Sequence, residues 1–138
     1  VNIYEAFETS DELTEKGRWI ELEFAGAVLA SIRIRSASPD LNADLRKAMA
    51  EEAVATIATM QGLTDSVADP ELENRLFGEA VVTAWKGITD RKGKAIKCTP
   101  KNVAKVFKDL PLLAQRVKRE AYKWTNFRTQ FEETALGN

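Results

Sequence analysis

Apolar and polar positions follow a period of two over one short stretch and a period of three to four over most of the rest. Between residues 19 and 35, Ile20, Leu22 and Phe24 alternate with Glu21 and Glu23. After Ala25-Gly26, Val28, Ala30, Ile32 and Ile34 alternate with Ser31, Arg33 and Arg35. Alternation gathers one set of side chains on one face of an extended strand, so the pattern predicts a β-hairpin with one apolar face. Glu21 and Glu23 then either pair with Arg33 and Arg35 across the strands or keep that side solvated. A lone hairpin is marginal in water, so its apolar face must lie on helices or meet strands of another copy.

Beyond Ser38-Pro39-Asp40, a break that doubles as a helix start, the period lengthens. Leu41, Leu45, Met49, Ala53, Ile57 and Met60 form a stripe widened by Ala50, Val54 and Ala58, predicting a first helix that ends near Gly62. Asp69-Pro70 opens a second helix with Leu72, Leu76, Phe77, Ala80, Val81, Ala84 and Trp85 as its core face. Gly87 is expected to end that helix in the left-handed conformation, and Asp90 and Gly93 to be the first and fourth residues of a type I turn. Trp85 and Ile88 should pin this turn to the core while Lys86, Arg91, Lys92, Lys94 and Lys97 face water or a partner. Thr99 as N-cap and Pro100 at the first helical position begin a third helix carrying Val103, Val106, Phe107 and Leu110. Pro111 starts a fourth, continuing through Leu113, Val117, Ala121, Trp124, Phe127 and Phe131.

The expected fold is therefore α+β and mainly α: an N-terminal β-hairpin (19–35) followed by about four amphipathic helices, with a short turn and extended segment between the second and third. Residues 18–138 read as a single globular domain with its helical body at 40–133. Ahead of it, residues 1–17 carry five acidic groups against Lys16 alone and few large apolar groups, which reads as an acidic, flexible arm.

Composition narrows the class. A chain of 138 residues fits one domain, and 44% apolar with 30% charged residues is the balance of a soluble globular protein. Apolar runs are only a few residues long, so no membrane contact is expected, and the cytoplasm is the default compartment. The net charge of −1 conceals a division: residues 1–85 hold 7 basic and 16 acidic side chains, residues 86–128 hold 13 and 3. Such asymmetry calls for an electrostatic partner of the basic part: nucleic acid, an acidic protein, or the acidic half of another copy.

Candidate chemistry is sparse. The chain has no histidine, the commonest general base and metal ligand. Cys98 is the one cysteine and reads as a half-buried structural thiol. No glycine-rich phosphate loop and no calcium-loop spacing occurs. Neither catalytic nor metal-ligating residues are nominated, no cofactor is implied, and a non-enzymatic protein is expected. Two features could carry binding. One is the mixture of Arg116, Arg119, Lys123, Trp124, Phe127, Arg128 and Phe131, which either stacks bases and neutralises phosphates or is an amphipathic helix whose aromatics pack inward. The other is the hairpin edge with the acidic arm, able to engage other chains by strand addition or charge pairing.

The segment Ala84-Trp85-Lys86-Gly87-Ile88-Thr89-Asp90, then Gly93, Thr99-Pro100-Lys101-Asn102-Val103, Leu110-Pro111-Leu112 and the closing Phe127 and Phe131 resembles the tail assembly chaperones of long-tailed, siphovirus-type bacteriophages. In the order of parts, Gly17-Arg18-Trp19 leading into a hairpin and then a helical body agrees with it. The resemblance implies a small non-enzymatic protein in the cytoplasm of the infected bacterial host, absent from the mature virion. It would bind the tape-measure protein, keep it soluble and support tail-tube assembly, the tail-tube protein being a possible second partner. Family members are often made in two lengths by a ribosomal frameshift. The separated charges favour self-association, so a homo-oligomer is expected. The alternatives are a nucleic-acid-binding protein using the basic 86–128 surface, against which the acidic pI of about 5.6 counts, and a small tail or connector structural subunit.

Overall fold

A computed structural model describes residues 2–60 and 70–129. In chain order the elements are α1 (Ile3–Phe7), α2 (Asp11–Lys16), β1 (Arg18–Phe24), β2 (Ala27–Ile34), α3 (Ala43–Met60), α4 (Pro70–Ala80), β3 (Val82–Lys86), α5 (Pro100–Asp109) and α6 (Pro111–Tyr122), followed by a 3-10 turn at Trp124–Phe127. The fold is α+β and mostly helical, with the hairpin near its N-terminal end. The expected end of the first helix at Gly62, the loop at 63–69, the Asp69 cap and Phe131 all lie outside the described residues.

The hairpin turns through Ala25 (φ +53°) and Gly26 (φ +82°), two positive φ values in succession that match the right-handed twist of its strands. Its register sets Ile20 opposite Ile32 and Leu22 opposite Ala30 on the core face. Glu21 faces Ser31 and Glu23 faces Val28, both carboxylates exposed, so of the two alternatives that side stays solvated and their pairing with Arg33 and Arg35 is not taken. A register shift between Leu22 and Glu23 helps to separate them. Arg33 instead donates to the Gly17 carbonyl (3.4 Å), and Arg35 reaches the Thr14 carbonyl (3.0 Å) and Asp44 (2.6 Å).

A third strand joins the hairpin, giving an antiparallel sheet in the order β1-β2-β3. The sequence pattern had this stretch as the end of the second helix, because Phe77, Ala80, Val81, Ala84 and Trp85 also fit helical spacing. The chain leaves the helix after the bond from Val81 N to the Phe77 carbonyl (3.1 Å), and the Val81 carbonyl is taken by the Arg35 N–H (2.8 Å). From there Val82 pairs with Ile34, Ala84 with Arg33 and Trp85 with Ile32. Val81, Val82 and Thr83 are β-branched and suit a strand, and pairing with β2 satisfies backbone groups that a longer helix would bond internally.

Helices α4, α5 and α6 cover one face of this sheet. Ile20, Ile32, Ile34 and Val82 from the strands meet Phe77, Val103, Phe107, Val117 and Phe127 in one core. Gly78 lets α4 cross the start of α5 closely: a Cβ there would lie 2.5 Å from the Pro100 carbonyl oxygen. Helix α3 packs on α4. Among its described side chains Leu45 and Ala48 are buried, while Met49 and Ala53 of the expected stripe are exposed. Asn42 caps it, accepting the Leu45 N–H (3.0 Å).

Residues 2–17 form α1 and α2, each opened by a side-chain cap, Asn2 and Ser10. They run alongside the end of the described chain: Ser10 N donates to the Phe127 carbonyl (2.8 Å), Thr129 N to the Glu8 carbonyl (3.3 Å), and Thr9 bridges Arg128.

Candidate interaction surfaces

Helix α6 ends at Tyr122 instead of running on to Phe127. Lys123 (φ −83°, ψ 99°) leaves helical geometry, and the Asn126 amide folds back to donate to both the Glu120 carbonyl and its carboxylate (2.8 Å each). Of the aromatic and basic group, Arg116 and Arg119 thus lie on α6, and Lys123, Trp124, Phe127 and Arg128 lie beyond its end. Phe127 is fully buried in the core. Trp124 retains 38% exposure, yet one ring face is stacked on Phe7 (5.3 Å, 14°) and the Arg128 guanidinium lies 5.6 Å from its centroid. Arg116 pairs with Glu120 (2.6 Å). Arg119 and Lys123 are exposed.

Glu120 is held below the usual carboxylate range, chiefly by the Asn126 hydrogen bond, against the opposing effect of partial burial, with Arg116 adding to the lowering. Cys98 is half-buried and burial pushes its thiol up, which keeps it protonated and a poor nucleophile. Among the described residues, no group of histidine, cysteine, aspartate and glutamate could hold a metal ion, and no helix is long and apolar enough to cross a membrane.

The connection from β3 to α5 is a second, smaller hairpin. Asp90 N donates to the Lys94 carbonyl (2.9 Å), Ile96 N to the Ile88 carbonyl (2.9 Å), and Thr89 bridges Ala95. Asp90 shapes its tip by accepting from the Lys92 and Lys94 N–H groups (2.9 Å each), and Gly93 N closes the turn on the Asp90 carbonyl (3.0 Å). Gly93 has φ +84°. The base of this hairpin is fixed by buried Ile88 and by Trp85 Nε1, which donates to the Ile96 carbonyl (2.7 Å). Gly87 does have positive φ (+82°), but it follows a strand and lies against β2, where a Cβ would come 2.6 Å from the Leu29 carbonyl oxygen. Thr99 caps α5 through the Asn102 N–H (3.2 Å), with Pro100 at its first turn.

Charge is distributed unevenly over the basic half. On α5 and α6, Lys105 pairs with Asp109 (3.1 Å), Lys108 with Glu71 (2.9 Å) and Lys118 with Glu73 (3.0 Å). Part of the sequence asymmetry is thus neutralised within the molecule, α4 supplying acids to α5 and α6. Lys86 lies 4.7 Å from the Trp19 ring centre on the sheet's outer face. Arg91, Lys92, Lys94, Lys97 and Lys101 are exposed and make no ion pair among the described residues.

Among the described residues, exposed apolar side chains include Leu110 and Leu112 where α5 meets α6, and two further groups. Phe24 (71% exposed), Val28 and Leu29 cluster around the tip of the β1-β2 hairpin, and Ile3, Tyr4 and Phe7 line an open cleft on α1. Sequence periodicity had counted Phe24 and Val28 with the core face. The tip projects past the helices, so alternation alone could not separate its buried rungs from its exposed ones.

The family model described as YdaY prophage protein matches residues 33–138. No curated protein and no solved structure matches the chain.

Proposed function

The chain belongs to the YdaY prophage protein family, and from that premise we propose that it is a non-enzymatic phage tail assembly chaperone that binds the tape-measure protein, keeps it soluble and supports tail-tube assembly. The observation that carries this reading is the apolar surface at the hairpin tip, where Phe24 and Leu29 stand largely exposed beside Val28. A monomer gains nothing from such a cluster, whereas a protein that covers the apolar stripes of a long helical client uses it directly. Among the described residues β1 is an edge strand, which adjoins it and can take a client segment as a further strand. In this reading the protein acts in the cytoplasm of the infected host, as a homo-oligomer along the client, and is left out of the finished particle.

Co-expression with the tape-measure protein of the same prophage tests it. The tape-measure protein should move from the pellet to the supernatant and co-purify with this chain, and the double variant Phe24→Ser with Leu29→Ser should lose that effect while keeping its fold. A tape-measure protein equally insoluble with and without the chain overturns the reading. Recovery of the chain from purified mature particles would favour a structural subunit instead.

A further inference from the structure

We propose that the small hairpin between β3 and α5, continued into the first turn of α5, is a docking surface for the phosphate backbone of duplex nucleic acid. This stands on charge and geometry and does not depend on the chaperone reading. Residues 86–101 carry Lys86, Arg91, Lys92, Lys94, Lys97 and Lys101 against Asp90 alone. The Asp90 carboxylate is turned inward to the backbone of its own turn, accepting from Lys92 and Lys94 N–H. On α5 and α6 the fold supplies α4 acids to Lys108 and Lys118. Here no acid pairs with the six cations among the described residues, and all six side chains stay exposed.

The hairpin is also rigid at its base. Trp85 holds the Ile96 carbonyl and Ile88 is buried, so the tip presents its cations from a fixed platform and not from a floppy loop. It lies away from the acidic residues 2–17. Those adjoin the Val82 end of β3, through Thr83 Oγ1 and the Lys16 carbonyl (3.5 Å), whereas the hairpin follows its Lys86 end. Intramolecular neutralisation by that segment is therefore disfavoured.

The choice between nucleic acid and an acidic protein rests on what the patch lacks. Protein interfaces are anchored by buried aromatic and aliphatic groups and are poor in lysine. No exposed large apolar side chain occurs between residues 86 and 109, and five of the six cations are lysines. A surface of unpaired point charges without apolar anchors suits phosphates, which are bound electrostatically and without sequence readout. Beside it Trp19 is 38% exposed, but the Lys86 ammonium stands over its ring (4.7 Å) where a single-stranded base would stack, which favours a duplex.

The test is fluorescence anisotropy of the full chain with a labelled 30-base-pair duplex of arbitrary sequence, titrated at 50 and 200 mM NaCl. With about five phosphates neutralised, affinity should fall a few hundredfold between the two salts. The triple variant Arg91→Gln, Lys92→Gln, Lys94→Gln should weaken binding at least tenfold and flatten the salt slope. A second variant, Lys97→Gln with Lys101→Gln, should do so to a smaller degree, and Arg119→Gln with Lys123→Gln should stay within twofold of the parent. Circular dichroism melts establish that each variant is folded. The proposal is overturned by no binding at 50 mM NaCl, by a triple variant that binds like the parent, or by polyglutamate competing as strongly as DNA. It is equally overturned if the parent leaves the duplex unbound but self-associates at low salt through the hairpin, which would make the partner a second copy. None of these outcomes bears on whether the tape-measure protein is kept soluble, so the two readings fail separately.

Discussion

The side-chain amide of Asn42 donates to the carbonyl of Ala80 at 2.8 Å, tying the start of α3 to the last residue of α4. The same amide donates to the Ser36 carbonyl (2.9 Å), and its oxygen accepts the Leu45 N–H (3.0 Å). One fully buried side chain thus caps one helix, finishes another and fixes the chain leaving β2.

Asn42→Ala should accordingly destabilise by about 2–4 kcal/mol, combining loss of an N-cap with two buried carbonyls stripped of a donor. Asn42→Asp keeps the cap acceptor but neither donation, and it buries a charge, so it should be no better than alanine. Urea unfolding of the three proteins measures this. An alanine variant within 0.5 kcal/mol of the parent, a margin of about twofold in the folding equilibrium, would contradict it.

Gly87 and Gly93 share positive φ but differ in surroundings, which makes them a matched pair. At Gly93 nothing stands within 4 Å of an added Cβ, so alanine should cost about 1 kcal/mol from backbone conformation alone. At Gly87 the Leu29 carbonyl oxygen is 2.6 Å away, and alanine should cost more than about 2 kcal/mol, valine more still. Equal melting of Gly87→Ala and Gly93→Ala would show that the close approach to β2 does not matter.

Phe7 covers one face of Trp124. Phe7→Ala should lower stability by about 0.5–1.5 kcal/mol, the range for an aromatic pair, and should raise acrylamide quenching of tryptophan fluorescence. Unchanged quenching would mean that the stack does not shield the indole.

Glu120 predicts a pH dependence. Its folded pKa is depressed, so its stabilisation is present above the ordinary carboxylate range and is lost as pH falls through the lower folded value. The stability advantage of the parent over Glu120→Gln should hold at neutral pH and shrink steadily under acid. Parallel stability curves down to pH 3 would rule out the linkage.

Much of the fold was legible because local chemistry and tertiary structure agree. The Ala25-Gly26 turn, the Asp90 to Gly93 turn and the Thr99-Pro100 start all form where their residue types place them. The residues from Val81 to Trp85 misled because they satisfy a helical period and a strand equally, and only the neighbouring β2 edge decides between them. Helix α6 stops short for a similar reason: Asn126 reaches back to Glu120, a contact that apolar spacing does not encode. Within the group at 116–131, Phe127 packs inward as the second of the two sequence readings has it, while Arg119, Lys123 and Trp124 keep exposed surface. What marks the remaining cations is the absence of acids beside them, and that needs the positions of Glu71 and Glu73 on a different helix.

The pairing of Thr9 with Arg128 also sets an order on biosynthesis. Residues 8–10 are made well before their backbone partners at 127–129. Contacts of such long sequence separation form late. The acidic helices therefore dock only after residues 127–129 have been made, and Phe7 stays uncovered until then.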